Sequence, residues 1–98
     1  MNYQKLLQED CRLVILRLLA EATGYDLNSS IIQAGLAEFS HRLSRDKLHG
    51  ELAWLEEQGL VNTREVRSVV VAELTARGAD VASGAATVPG VKKPRPGE

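Results

Sequence analysis

Residues 44–61, SRDKLHGELAWLEEQGLV, carry the pattern that decides the fold. Ser44 is a typical helix N-cap, and Asp46 falls in the first turn, where a carboxylate faces the positive end of the helix dipole. Gly59 suits the position just past a helix end. Three leucines at spacings of four and three share one face: Leu48, Leu52 and Leu55. The stretch predicts a helix over 44–58 that buries this face.

Two more helices are predicted upstream. Apolar residues recur at spacings of three and four over 5–22, and Gly24 suits the left-handed position after that helix. A short helix over 29–38 follows, and three residues in a row could cap it: Asn28, Ser29 and Ser30.

The connections between these helices are short. We expect residues 25–27 to form an extended connector. A turn over 39–43 should place His41 and Arg42 at its tip. The second and third helices are therefore joined by a tight turn.

A two-stranded hairpin and a fourth helix complete the pattern. Residues 60–63 and 66–74 read as strands, the second because of its run of valines. The polar stretch 62–68 predicts the hairpin tip. The last helix spans 76–83, between residues suited to begin and to end it: Thr75 and Gly84.

Length and composition indicate a single small globular domain. The chain has 98 residues, of which 44% are hydrophobic and 26% charged. We expect a domain over 1–84 and a basic tail over 85–98, extended or mobile, because the tail holds all three prolines. No apolar run approaches the about 18 residues of a membrane helix, and no signal peptide is visible. The expectation is a cytoplasmic protein without membrane contact.

The order of elements is that of a winged helix-turn-helix, a mostly α fold with a small β-hairpin. The stretch from Ser44 to Val61 resembles a recognition helix that runs into its first wing strand. Residues 74–78, LTARG, are similar to the L-T-x-x-G that follows the wing in MarR-type and ArsR-type regulators. The resemblance covers about residues 8–84 and implies a DNA-binding regulator.

Two segments carry a narrower resemblance. Residues 52–55, LAWL, and 90–96, GVKKPRP, look like small winged-helix proteins of Mu-like phages and prophages. This resemblance implies a phage or prophage origin and adds little about mechanism.

A DNA-binding function would use the exposed side of helix 44–58 in the major groove of double-stranded DNA. The candidate contacts lie on the turn, the start of this helix and the wing, where cations can pair with phosphates or enter the minor groove. The predicted DNA-binding residues are Arg42, Arg45, Lys47, His49, Arg64 and Arg67. His41 could add a phosphate contact from the turn.

Other features favour a different class of function. The net charge is −1, whereas a dedicated DNA-binding domain is usually basic. The five cations of residues 41–67 are cancelled by five carboxylates in the same stretch. One of these, Glu57, projects outward with the predicted base-reading residues, where it would repel phosphate. The wing is also short, so it would reach less far into a groove. The alternative is therefore a phage-encoded winged-helix protein–protein interaction module that does not bind DNA.

Single residues leave further choices open. Trp54, the only tryptophan, either packs under the wing or against the first helix, or contacts another chain. The tail is a solubilising end, a phosphate-binding arm, or a segment that docks on a partner through Val88 and Val91. Cys11, the only cysteine, is expected to be a small buried apolar residue.

No signature of an enzyme, a metal site or a cofactor is present. Phosphate-binding loops, nucleophile elbows and zinc-protease motifs are missing, and His41 and His49 are poorly spaced for a metal. A homodimer through the first or last helix is plausible for so small a core. That core is expected to contain Leu7, Cys11, Val14, Ile15, Leu18, Ile31, Ile32, Leu36, Phe39, Leu48, Leu52, Leu55, Leu60, Val70 and Leu74.

Overall fold

The computed structural model describes residues 2–97 as four helices and one antiparallel sheet. Helix α1 is followed by a short 3₁₀ turn, strand β1, the helix pair α2 and α3, strands β2 and β3, and helix α4. Their bounds are α1 Tyr3–Glu21, the 3₁₀ turn Thr23–Tyr25, β1 Asp26–Asn28, α2 Ser29–Glu38, α3 Arg45–Glu57, β2 Val61–Val66, β3 Val69–Leu74 and α4 Ala76–Ser83. This is the predicted winged helix-turn-helix.

Side-chain caps fix the starts of all four helices, and at α1 Asn2 Oδ1 accepts a hydrogen bond from the amide of Lys5 at 3.2 Å. Asn28 Oδ1 accepts a hydrogen bond from the amide of Ile31 at 2.9 Å. Ser44 Oγ accepts one from Lys47 at 3.1 Å, and Thr75 Oγ1 accepts one from Gly78 at 2.9 Å. Each bond satisfies an amide that has no partner within its helix, so the polar residues before these helices set where they begin.

The sheet has three strands, and the sequence predicted two. Its order is β1-β3-β2, with β1 paired antiparallel to β3. Residues 26–28, expected to be a mere connector, form β1, in which Leu27 lies opposite Ala72. Three residues are too short to show a strand pattern, and their partner lies more than forty residues away in the chain.

The wing is a tighter hairpin than predicted. Strand β2 continues to Val66, which pairs with Val69, so the tip is only Arg67-Ser68. The polar residues of 62–68 are therefore mostly strand residues, and the expected tip over the whole of 62–68 was wrong. These residues are polar because much of β2 is exposed to solvent, as is usual for an antiparallel sheet with one face in water.

The core is built from α1, α2, the leucine face of α3, the inner side of the sheet and α4. Most predicted core residues are buried or packed against it. Three are not: Leu7, Ile31 and Phe39 are 41%, 53% and 59% exposed. Leu7 lies in the first two turns of α1, which are exposed, Ile32 takes the inward direction beside Ile31, and α2 has ended before Phe39.

Residues 85–97 contain no helix or strand, and part of the segment packs on the domain. Val88 and Val91 are buried members of the core cluster. The amide of Lys92 donates to the carbonyl of Glu9 at 3.2 Å, and its ammonium lies 3.3 Å from Asp10 Oδ1. The two valines that were considered as anchors for a partner are thus buried in the chain's own core, and Lys92 ties segment 85–97 to the first helix.

Candidate nucleic-acid interface

Helix α3 lies with its leucine face in the core and its opposite face in solvent. Leu48, Leu52 and Leu55 are fully buried. The outward arc consists of small and acidic residues, all of them exposed: Asp46, Gly50, Ala53 and Glu57. Gly50 has no atom within 4 Å of the position where a Cβ would stand. A partner could therefore approach the helix backbone closely along this arc.

Three of the predicted cations cluster where α3 begins. Arg42 lies on the turn before α3, and Arg45 and Lys47 lie in its first turn. All three are exposed. Within residues 2–97 none of the three forms an ion pair with a carboxylate. Their charges are therefore available to an anionic partner.

Two other predicted residues are engaged within the fold. His49 is half-buried, with Nε2 at 3.5 Å from Ser29 Oγ at the start of α2. Arg64 extends across β3 on the outer side of the sheet, and its Nη2 lies 2.9 Å from Asp26 Oδ2 on β1. The side chain of Arg64 is 51% exposed and that of Asp26 is 35% exposed, so Arg64 can exchange Asp26 for an external anion.

Arg67 occupies the wing tip in an unusual backbone conformation. Its φ is +50°, and that of Ser68 is +67°. Two consecutive residues in the left-handed region make the kind of tight turn that suits a two-residue hairpin, although glycine or asparagine is usually preferred there. Arg67 is exposed at the tip of the hairpin, and Val66 and Val69 are exposed beside it.

The carboxylates near this surface differ in their engagement. Glu56 accepts hydrogen bonds from Thr63 Oγ1 at 2.6 Å and from the Thr63 amide at 2.9 Å. These bonds lower the pKa of Glu56 and tie the end of α3 to β2. Asp46, Glu57 and Glu65 are exposed. Carboxylates therefore accompany the cations of this surface: Asp46 lies in the first turn of α3, Glu57 at the end of α3 and Glu65 on β2.

His41 does not lie at the tip of its turn as predicted. It is buried, and its Nε2 is 2.7 Å from Asp10 Oδ2 on α1. Burial acts to raise the pKa of Asp10, but hydrogen bonds and charge from His41 and Lys92 outweigh it and lower this pKa below its usual value. Asp10 therefore joins the helix-turn-helix to segment 85–97, a role that no local sequence pattern indicated.

Arg12, the next charged residue of α1, forms a second junction. Its Nε donates to Glu51 Oε1 at 2.7 Å, and one Nη donates to the Gly90 carbonyl at 3.1 Å. Its guanidinium lies over the ring of Trp54. Trp54 thus packs against α1, one of the two packing alternatives that the sequence left open. In the sequence, the signal that could have indicated these two junctions is the pair of charged residues, Asp10 and Arg12, on both sides of Cys11 in the apolar part of α1.

Cys11 is buried, and burial raises the pKa of its thiol to about 11, with the carboxylates of Glu51 and Asp10 adding to the effect. It therefore serves as an apolar core residue. Across residues 2–97 no group of three or more His, Cys, Asp or Glu side chains is arranged to hold a metal ion. In the same part of the chain no helix combines the length and the apolar character needed to cross a membrane.

Comparison with known sequences identifies a phage relative. The chain is 48% identical over 91 residues to a protein of Escherichia phage Mu, the uncharacterized protein gp26. The match covers 93% of this chain and 94% of the phage protein. No protein-family model matches the chain.

Solved structures share the fold. Sco5413, a MarR-family transcriptional regulator from Streptomyces coelicolor, matches 72% of this chain with a TM-score of 0.62 and 24% identity. Sco3205, a second MarR-family regulator from that organism, solved in complex with DNA, matches 79% with a TM-score of 0.62 and 21% identity. The matches cover 46% and 49% of those proteins, so the chain spans about half their length. They establish the winged-helix fold.

Proposed function

From the premise that this chain belongs to the family of the phage Mu protein gp26, we propose that the chain is a winged-helix protein that binds double-stranded DNA as a transcriptional regulator. Its origin is a phage or a prophage. Helix α3 enters the major groove, and the wing contacts the backbone and the minor groove beside it. The neighbours in the winged-helix fold are transcriptional regulators and not enzymes, which supports a binding function without catalysis.

The observation that carries this proposal is the group of unpaired cations at the start of α3. Arg42, Arg45 and Lys47 are exposed and have no carboxylate partner within residues 2–97. The first turns of a recognition helix are the part that reaches base edges. Arg45 and Lys47 would contact bases or flanking phosphates, and Arg42 a phosphate from the turn. His49, half-buried beside Ser29, would contribute at the edge of this surface.

The wing supplies the second contact. Arg67 projects from the tip of the hairpin, where a basic side chain can enter the minor groove. Arg64 would pair with a phosphate in place of Asp26. The exposed carboxylates near these cations limit non-specific affinity, since a carboxylate near phosphate is repulsive. A homodimer would match the symmetry of paired half-sites.

The test is a titration of DNA binding with salt, followed by fluorescence anisotropy. One labelled duplex comes from the region around the gene for this protein, and the other has an unrelated sequence. We expect tighter binding to the first duplex. The logarithm of the affinity should fall against the logarithm of salt concentration by about 0.9 for each phosphate contact.

Three variants separate the roles of the cations. Arg45→Ala should reduce the preference between the duplexes, whereas Arg67→Ala should weaken both equally and lower the salt slope by about 1. Lys93→Ala is the matched control, because Lys93 is an exposed cation of segment 85–97 beside Arg17 and Ala82. Equal effects of Lys93→Ala and Arg45→Ala, or no binding to either duplex at low salt, would contradict the proposal.

A protein–protein interaction module remains the second candidate function. The observation in its favour is the outward arc of α3, which carries the exposed carboxylates of Asp46 and Glu57. These groups face the place that a phosphate backbone or base edges would occupy. Trp54 and segment 85–97 give this candidate less support, because Arg12 covers the indole and the two valines of the segment are buried. The salt titration distinguishes the two candidates.

A further inference from the structure

We propose that the groove between the first turns of α1 and the start of α3 binds an acidic amphipathic peptide segment of another protein. The groove has a volume of about 560 Å³. One wall is α1, and the other is the turn from Ser40 to Leu43 with the first turns of α3. The DNA-binding function does not use the apolar part of this groove.

The α1 wall carries an exposed apolar stripe. Tyr3, Leu7 and Cys11 follow at intervals of four residues, which places them in a row along one face of the helix. Tyr3 is 72% exposed and Leu7 is 41% exposed, while Cys11 is buried at the inner end. Leu43, half-buried, contributes apolar surface from the opposite wall. Tyr3, Leu7 and Leu43 thus give the groove apolar surface that an occupant can cover.

The groove is also positively charged. Lys5, Arg42 and Lys47 line it, all exposed and without an ion pair to a carboxylate in residues 2–97. Glu51 is the one carboxylate among the lining residues that the structure describes. Its charge is already matched by Arg12 Nε at 2.7 Å and by Gln8 Nε2 at 2.9 Å. An occupant that complements this groove carries apolar side chains and carboxylates together.

The form of the groove favours a peptide over a small molecule. Enclosed pockets bury 70–90% of a small ligand, whereas the side chains along these walls stand largely in solvent. A helix with apolar residues at intervals of three and four can place them on the row from Tyr3 to Cys11, as helices do in other hydrophobic grooves. Carboxylates on its flanks then reach Lys5 and Lys47, which fixes its orientation.

Occupation of the groove would regulate the proposed function. Arg42 and Lys47 belong both to the groove and to the predicted DNA surface. An acidic segment that pairs with them competes with DNA phosphates for the same charges. Competition rests on the proposed function, but binding of the peptide does not.

The experiment selects ligands for the full chain from a random 12-residue peptide library displayed on yeast. Enriched peptides are synthesised with a fluorescent label, and their affinities are measured by anisotropy. We expect enrichment of Asp and Glu together with Leu, Ile, Phe or Met at helical spacing. Binding should weaken as salt is raised and should fall about tenfold in Leu7→Ser, since the leucine loses its buried contact. Lys47→Glu should weaken it as well.

Leu6→Ser is the matched control. Leu6 is 45% exposed, next to Leu7 on the same helix, but does not line the groove. It should change peptide affinity less than about twofold. The proposal is overturned if no peptide is enriched, if the enriched peptides show no excess of acidic residues, or if Leu6→Ser and Leu7→Ser weaken binding equally.

The same variants separate this proposal from the DNA-binding function. Leu7→Ser should leave the affinity for duplex DNA unchanged, and Lys47→Glu should weaken both ligands. Peptide binding with these properties, in a protein that fails to bind any duplex, would support the groove and overturn the DNA-binding function. DNA binding by a chain for which no peptide is selected would support the DNA-binding function and overturn the proposed peptide groove.

Discussion

The guanidinium carbon of Arg12 lies 3.7 Å from the centroid of the Trp54 ring. The same side chain donates to the buried carboxylate of Glu51 and to the carbonyl of Gly90. One residue of α1 therefore contacts α3 twice and segment 85–97 once. The position of the candidate recognition helix depends on this junction as well as on its leucine face.

Arg12→Ala should be strongly destabilising. The substitution leaves the Glu51 carboxylate, only 8% exposed, without its cation. Removal of one partner of a buried ion pair typically costs about 3–5 kcal/mol. We expect a loss of that order in the free energy of unfolding, measured by urea denaturation. Arg17→Ala on the same helix is the control, and Arg12→Met combined with Glu51→Met should recover most of the loss, because no charge is then buried alone.

Gly78→Ala and Gly50→Ala should change stability in opposite directions. A Cβ at Gly78 would collide with the Leu60 carbonyl and lie 2.7 Å from Leu74 Cδ1, whereas one at Gly50 meets nothing within 4 Å. We expect Gly78→Ala to destabilise by about 1–3 kcal/mol, as overpacking does. Gly50→Ala should stabilise by about 1 kcal/mol through helix propensity. Thermal unfolding of both variants tests this, and similar shifts in the two would refute it.

Ser68→Gly should stabilise the wing. Ser68 has φ of +67°, where a side chain costs about 1–2 kcal/mol that glycine avoids. Allowing for the greater freedom of glycine in the unfolded chain, we expect a net gain of up to about 1 kcal/mol in the free energy of unfolding. Ser30→Gly, an exposed serine within α2, should instead be destabilising. A loss of stability in Ser68→Gly as well as in Ser30→Gly would contradict the prediction that the backbone of Ser68 is strained.

Asp10→Asn should have an effect that depends on pH. The pKa of Asp10 is lowered in the fold, because His41 and Lys92 outweigh its burial. Its ionised form therefore stabilises the protein above the unfolded-state pKa of about 3.9, and this contribution disappears as pH falls through the lower folded-state pKa.

The measurement is the free energy of unfolding of Asp10→Asn and of the unsubstituted chain from about pH 7 to about pH 2. The difference should be largest at neutral pH and should shrink below about pH 4. Glu9→Gln serves as the control, since within residues 2–97 the Glu9 side chain forms no ion pair. A constant difference at every pH would contradict the role given to Asp10.

Val91→Ala should show that segment 85–97 contributes to the core. Val91 is 9% exposed and belongs to the core cluster. Loss of two buried methyl groups should cost about 1–2 kcal/mol. Val66→Ala is the control, because Val66 is 47% exposed at the wing. Equal, small effects in urea denaturation would show that the segment adds little to stability.

Local patterns in the sequence predicted the helices of this fold because the causes are themselves local. Ser44 and Thr75 cap the helices that follow them, and Gly59 and Gly84 have the positive φ expected after helix ends. The leucine spacing of α3 correctly assigned its buried face.

What the sequence did not predict depends on contacts between distant segments. Strand β1 exists because β3 offers it a partner. His41 is buried because Asp10 lies opposite it, and Trp54 is covered because Arg12 and Gly90 meet there. For the candidate site, the cations were predicted from their positions on the turn, the helix and the wing. Only the fold shows that Arg64 is held by Asp26, while Arg42, Arg45 and Lys47 form no ion pair in the described part of the chain.

The attachment of segment 85–97 to α1 also bears on how the chain folds. Lys92 and Asp10 are 82 positions apart, so their contact closes a loop that contains most of the molecule. Loop closure entropy grows only logarithmically, and each doubling of the loop costs about 0.6 kcal/mol more, so the length of the loop changes equilibrium stability little. The folding rate is affected more strongly, because contacts between distant positions slow folding. We therefore expect the helix-turn-helix, built from neighbouring segments, to form before the contacts between α1 and segment 85–97.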